Sequence, residues 1–338
     1  MILGLTIILI LILFLPFTVS TVERNLEVFL LIMGVSATFI SGVFDKSLLM
    51  QALEGPIYIT LAVLLAGLIF RWLQKPIEKG IIGASQMMPF RLFLALAVII
   101  LGIISSVITA IIAAIVLVAF TSVLKLDRKS EIRFVILACF SIGMGAALTP
   151  IGEPLSTIAT SKLNEEFFFL LRLIGPVVIP GIIIFGILST VLITPTKHSK
   201  FLSSSLETES YIEILIRSIK VYLFVMALTL LGAGFEPFIE SYLLGLSPLV
   251  LYWINIISAV LDNATLAAAE ISPAMDSHTI KAILLGLLIS GGMLIPGNIP
   301  NIIAAGKLNI TSLEWARFGI PVGLIAMVAY FIIILLFG

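Results

Sequence analysis

The sequence predicts an all-α integral membrane protein built from two inverted repeats, each holding a re-entrant hairpin and a broken transmembrane helix. Three observations carry this. Of the 338 residues, 60% are hydrophobic and 11% charged, with a mean hydropathy of +1.25, whereas soluble domains carry about 25% charged residues. Apolar runs long enough for a bilayer crossing, about 20 residues, recur from end to end and leave no room for a separate soluble domain. These runs are uninterrupted rather than alternating, which selects helices over a barrel. Third, the second half of the chain matches the first at fixed spacing, the mark of a duplicated unit.

The elements follow in order. Helix 1 is expected over Ile2–Ser20, which has no basic leader or small-residue cleavage site and reads as a retained helix. Helix 2 is expected near Val28–Phe44, and helix 3 over Pro56–Leu73, followed by a polar link through Lys75, Lys79 and Gln86. Two apolar arms, Arg91–Ile104 and Val107–Leu124, are separated at Ile-Ser-Ser-Val-Ile-Thr and read as a hairpin. After a basic loop (Lys125, Arg128, Lys129, Arg133), the run Phe134–Leu148 stops at Pro150-Ile-Gly-Glu-Pro154, and a short segment to Lys162 completes that crossing. Helix 5 is Phe167–Ile193. The stretch Pro195–Glu213, with serines at 203 to 205, reads as an exposed linker. Helix 6 (Ile214–Gly234) opens the second half. A second pair of arms, Tyr242–Ile257 and Ala264–Ile271, is broken at Asp262-Asn263. The run Ile280–Ile295 is then interrupted at Pro296-Gly-Asn-Ile-Pro300, and helix 8 covers Trp315–Phe337.

A shift of 145 positions lays Gly152 on Gly297. It also lays Ile158, Ala159, Lys162, Leu163, Asn164, Arg172, Pro176 and Val177 on identical residues. A shift of 153 lays Ile103-Ile104-Ser105 on Ile256-Ile257-Ser258. The domain reading is therefore 1–55 as N-terminal helices, 56–194 as the first repeat, 195–213 as linker and 214–338 as the second repeat. A re-entrant hairpin returns to its own side, so each unit crosses three times and the second copy is upside down. Placing the end of helix 3 in the cytoplasm leaves Lys46, Lys162, Arg172 and Lys281 outside and the other 15 of 19 basic residues inside. The positive-inside rule then favours the cell membrane with both termini extracytoplasmic.

Inverted repeats with broken helices near the midplane characterise secondary transporters. Both interrupted runs hold two prolines and a glycine, which remove helical hydrogen bonds and relax the backbone. Unwound carbonyls replace water around a small cation, while half-helix N-termini favour anions. Ionisable residues at membrane depth are functional by default, and each half supplies one: Glu153 at the first break and Asp262 at the second hairpin tip. With Asn263 and Asn298 they form the expected cation- and proton-binding set. Ser105, Ser106, Thr109, Gly152, Ser156, Thr157, Thr265, Gly297 and Asn301 are expected to line the site. Their hard oxygens suit Na⁺, held by Asp262, Asn263, Glu153 and Thr109. A capping role for Asp262 is compatible with this. Glu270 is expected near the outer surface and solvated, with a place in the wall of the same cavity, eight residues beyond Asp262, as the alternative.

Other classes are disfavoured. Zero net charge disfavours nucleic acid. A lone Cys139 excludes an internal disulfide, and His198 and His278 lack metal-ligand spacing. No nucleotide-binding loop or phosphorylatable Asp motif points to a pump, and no organic cofactor or enzymatic reaction is expected.

Ser-Ala-Val-Leu-Asp-Asn-Ala-Thr-Leu-Ala-Ala-Ala (258–269) is followed by Gly-Gly-Met-Leu-Ile-Pro-Gly-Asn-Ile-Pro-Asn-Ile-Ile-Ala-Ala-Gly-Lys-Leu (291–308). Together they resemble the second-repeat signature of the Ion Transporter superfamily. That group includes bacterial sodium/proton antiporters, arsenite exporters and divalent-anion/sodium symporters. Within it, the sequence is most similar to a prokaryotic family of predicted cation transporters. The resemblance covers about residues 56–338 and implies a homodimer with a scaffold and a mobile transport domain, working as an elevator. In the symporters, hairpin-tip Ser-Asn-Thr signatures bind sodium and the substrate carboxylate. Here the tips read Ser105-Ser106…Thr109 and Asp262-Asn263-Ala264-Thr265, and the added carboxylate repels a dianion and resembles the antiporter arrangement. The expected function is Na⁺/H⁺ antiport, with Na⁺ or Li⁺ as the transported or coupling ion; a Na⁺-coupled symporter of a small carboxylate or inorganic anion is the alternative.

Overall fold

The computed structural model describes residues 1–338 apart from 20, 23–24, 125, 195–209, 243–245, 262, 274 and 338. The described residues form helices and no strand. The chain opens with α1 (Ile2–Thr18), α2 (Leu26–Ser41) and α3 (Lys46–Met87). Next come α4 (Phe90–Ile108), α5 (Ala110–Leu124), α6 (Arg128–Ala146), α7 (Pro154–Leu163), α8 (Phe169–Leu173) and α9 (Gly175–Leu192). The second half holds α10 (Tyr211–Tyr242), then α11 (Pro248–Ile254) running into the 3₁₀ turn Asn255–Ala259, and α12 (Asn263–Glu270). It closes with α13 (Ser277–Gly291), α14 (Ile299–Leu308) and α15 (Ser312–Phe337). Most of the expected linker, with Lys197, Lys200 and Ser203 to Ser205, lies outside the described residues, as do Arg24 and Lys125.

Among the described residues five helices are long and apolar enough to cross a membrane: Lys46–Ile69, Phe90–Ile108, Gly175–Leu192, Tyr211–Phe238 and Ser312–Leu336. Their outward faces carry large apolar side chains, such as Ile325 at 72% exposed and Val191 at 70%. A lipid surface takes such faces without cost.

Several boundaries differ from the sequence reading: helix 6 runs past Gly234 to Tyr242, the arm expected from Tyr242 begins at Pro248, and helix 5 is divided between α8 and α9. Helix 3 does not begin at Pro56. It begins ten residues earlier, where the Asp45 side chain accepts from the Leu48 N–H at 2.6 Å, an N-cap of the usual kind. It also runs through Pro56, Pro76 and the expected polar link to Met87, since proline in a membrane helix loses one hydrogen bond without ending it. The first hairpin breaks at the last residue of the expected interval 104–109, so that Ser105 and Ser106 stay helical. Both hydroxyls bond back within the helix, to the Gly102 and Ile103 carbonyls, and the break comes at Thr109.

α10 packs along α2 and α3, and α1 lies on α2. α4, α6 and α9 pack on one another, and α11 with its 3₁₀ turn lies on α13. Two exchanges join the halves: α5 packs on α14, and α12 packs on α7. α3 contacts α5, and α10 contacts α12. A small apolar cluster of Val63, Ala114, Ile115, Val221 and Ile303 fills the seam where α3 and α10 meet α5 and α14. Phe134 to Ala146 of α6 and Ala282 to Gly291 of α13 are buried throughout. The helices that lead into both interruptions are thus enclosed by protein, where unwound backbone is tolerated.

Candidate functional site

The two interruptions are built alike. Glu153 and Asn298 occupy the N-cap positions of α7 and α14 with nearly the same extended backbone, φ/ψ −155/161° and −155/146°. Each starts a ten-residue helix with proline in its first turn, and each helix ends on a left-handed asparagine, Asn164 (φ 52°) and Asn309 (φ 50°). Neither N-cap side chain bonds its own helix. Upstream, α6 and α13 end on carbonyls that need partners. Ser156 Oγ donates to Ala146 O at 3.4 Å and to Glu153 O at 2.7 Å. Asn301 Nδ2 donates to Gly291 O and Leu294 O, both at 2.9 Å. Gly152 closes onto the Ala146 carbonyl and Gly297 onto that of Gly291, where a side chain has no room.

Hairpins and interrupted helices are tied by matching bonds. Ser105 Oγ donates to Ile142 O at 2.9 Å and Ser258 Oγ to Leu287 O at 3.2 Å. At the first tip, Thr109 holds φ 74°, ψ 149°, a left-handed conformation that is costly for a β-branched residue. The next N–H, of Ala110, donates to Gly152 O at 2.9 Å and pins the tip to the break.

Tip and breaks together line a half-open cavity of about 340 Å³. The polar groups in its wall are Thr109, Glu153, Thr157 and Asn298, with Ile111, Ile151, Ile158 and Ile299 as apolar lining. Glu153 is 6% exposed and Asn298 5%. Thr157 Oγ1 donates to the Pro150 carbonyl. Behind Asn298 lies Gly143 of α6: a Cβ there would come within 2.7 Å of the Asn298 amide nitrogen. The N-termini of α5, α7 and α14 all meet this cavity. Their partial positive charge favours an anion, and Glu153 supplies a carboxylate at that spot.

The cavity thus brings together Thr109, Gly152, Glu153, Thr157 and Asn298. Ser105, Ser106, Ser156, Gly297 and Asn301 are buried beside it, holding backbone rather than forming its wall. Asn263 is buried at the start of α12, its Nδ2 without a partner among the described residues. Asp262 and the Thr265 side chain lie outside the described residues. Glu270 is not a solvated surface group: it is 1% exposed, and its Oε2 accepts from Asn255 Nδ2 at 2.9 Å. The sequence reading missed Gly143, whose role depends on a residue 155 positions away and leaves no local signal. Among the described residues no three His, Cys, Asp or Glu side chains cluster as metal ligands, so any hard cation here has mixed carboxyl, amide, hydroxyl and carbonyl surroundings.

The chain matches over residues 2–337 the family described as "Protein of unknown function (DUF1646)", and it belongs to that family. No curated protein matches it.

Proposed function

We propose that this DUF1646 member is a secondary active cation transporter, a Na⁺/H⁺ antiporter working as an elevator in the cell membrane. The observation that carries this is one buried carboxylate, Glu153, facing a cavity shared by both interruptions and the first hairpin tip. A carboxylate that binds either a proton or Na⁺, but not both, exchanges one for the other. The site then crosses the bilayer neutralised, whereas an empty charged site is costly to move. Asn298, Thr109 and Thr157 are the other oxygen-bearing residues in that wall, and Asp262 and Asn263 are carried as further ligands from the sequence motif.

The duplicated, inverted arrangement is supported by the equal caps of α7 and α14 and by the paired Ser105 and Ser258 bonds. The scaffold is α1, α2, α3 and α10, in a homodimer as the resemblance to the Ion Transporter superfamily implies. The small apolar seam of Val63, Val221, Ala114, Ile115 and Ile303 suits sliding, since apolar contacts are non-directional. One observation favours the alternative, a Na⁺-coupled symporter of a small anion: three helix N-termini converge on the cavity.

Proteoliposomes with a trapped pH dye and imposed Na⁺ gradients separate the two. Antiport gives Na⁺-driven proton efflux with no added anion, abolished in Glu153→Gln, which keeps the size but cannot titrate. Proton movement at the wild-type rate in Glu153→Gln, or Na⁺ uptake that requires an anion, rules the antiport assignment out.

A further inference from the structure

A second buried carboxyl group lies in the second hairpin, away from the cavity wall. Asn255 starts the 3₁₀ turn of the entering arm and is 0% exposed; Glu270 ends the returning arm and is 1% exposed. Asn255 Nδ2 donates to Glu270 Oε2 at 2.9 Å and faces the Ile283 carbonyl at 3.4 Å. Both neighbours of that nitrogen are acceptors, which fixes the amide orientation, because a flipped amide would point its oxygen at them. Two acceptors then remain without a donor among the described residues: Glu270 Oε1 and Asn255 Oδ1. One proton on the carboxyl group supplies the missing donor for both and removes a buried charge.

Among the described residues the surroundings do not supply a substitute. Of the titratable groups on α7, α10 and α13, which pack against α12, Lys162 reaches this end, where its Nζ donates to Ile271 O at 3.2 Å. Glu236 on α10, and His278 and Lys281 on α13, make no hydrogen bond to the carboxyl group. The 153-position shift lays Asn255 on Gly102 and Glu270 on Leu117, so both polar members occur in one hairpin and both are replaced in the other. A pair present or absent together is a unit.

We propose that Glu270 and Asn255 form a proton-binding site in which Glu270 is held as the neutral carboxylic acid, hydrogen-bonded in both directions to the Asn255 amide. The site stands without the antiport reading; its use in moving protons, carried with α12 and the hairpin tip, rests on that reading. The test is infrared difference spectroscopy of the purified full-length protein across a pH titration, with no gradient or flux required. A carboxylic-acid C=O band present at neutral pH and lost in Glu270→Gln is expected. In Asn255→Leu the band should move to higher wavenumber, since its hydrogen bonds are gone; if Glu270→Gln does not fold, this shift decides. An unchanged band in Glu270→Gln, an unshifted band in Asn255→Leu, or a band abolished by Na⁺ at fixed pH overturns the proposal. Absence of exchange in proteoliposomes leaves the band intact and counts against the antiport reading alone.

Discussion

Replacing Gly143 with alanine puts one methyl group 2.7 Å from Asn298 Nδ2, where ordinary contact begins near 3.4 Å. The amide must retreat by about 0.7 Å, and the next atom met, Asn298 Cγ at 3.9 Å, does not oppose that retreat. A displacement beyond about 0.5 Å is enough to spoil a preorganised site, and hard-cation bonds of this class are only about 2.3–2.6 Å long. The expected result is an apparent Na⁺ affinity roughly tenfold weaker, about 1.4 kcal/mol, read from the Na⁺ dependence of the flux. Stability should change little, because alanine gains about 0.8–1 kcal/mol over glycine inside a helix, offsetting the strained amide. Gly145→Ala is the contrast. There the methyl meets the Gly102 backbone carbonyl, which cannot swing aside, and overpacking of about 1–3 kcal/mol should lower the unfolding temperature. Unchanged Na⁺ dependence in Gly143→Ala would remove Asn298 from the ion site. A loss of stability equal to that of Gly145→Ala would refute the packing argument.

Two further outcomes are expected. With Cys139 replaced, a cysteine at Lys129 should be labelled from the cytoplasm and one at Asp276 from outside; labelling from one face excludes the inverted arrangement. Asp127 caps α6, its carboxylate accepting from the Ser130 N–H at 3.1 Å, and the Ser130 side chain holds its pKa below the usual carboxylate value. That depressed pKa gives stability that is present above the ordinary carboxylate range and lost as pH falls through the folded value. Asp127→Ala should therefore cost about 1 kcal/mol at neutral pH, with the difference in melting temperature shrinking in acid.

Both interruptions were legible because proline and glycine act locally: Pro150 to Pro154 and Pro296 to Pro300 mark where helices must unwind. The first hairpin break was legible only as the interval 104–109, because serines look like breakers in an apolar run, yet Ser105 and Ser106 satisfy themselves on the preceding turn. Thr109, the real break, carries no such mark; its positive φ is imposed by the Ala110 bond to Gly152, 42 positions later. Glu270 was misjudged for a related reason. An acidic residue at the end of an apolar arm reads as surface unless its partner is known, and Asn255 sits on the other arm. Local chemistry announces itself in sequence; pairings across the bundle do not.

The exchange of arms between halves has a consequence for how the molecule is made. α5 is complete only when α14 lies against it, and roughly 190 residues separate their first positions. At about 5–20 residues per second the ribosome needs on the order of 10–40 s to deliver that partner. Throughout that interval the first hairpin stands in the bilayer without its final neighbour, and the N-terminal half alone is an unfinished object. Synthesised as two separate polypeptides, the halves should each be short-lived and should rescue one another when made together, since each holds the surface that the other lacks.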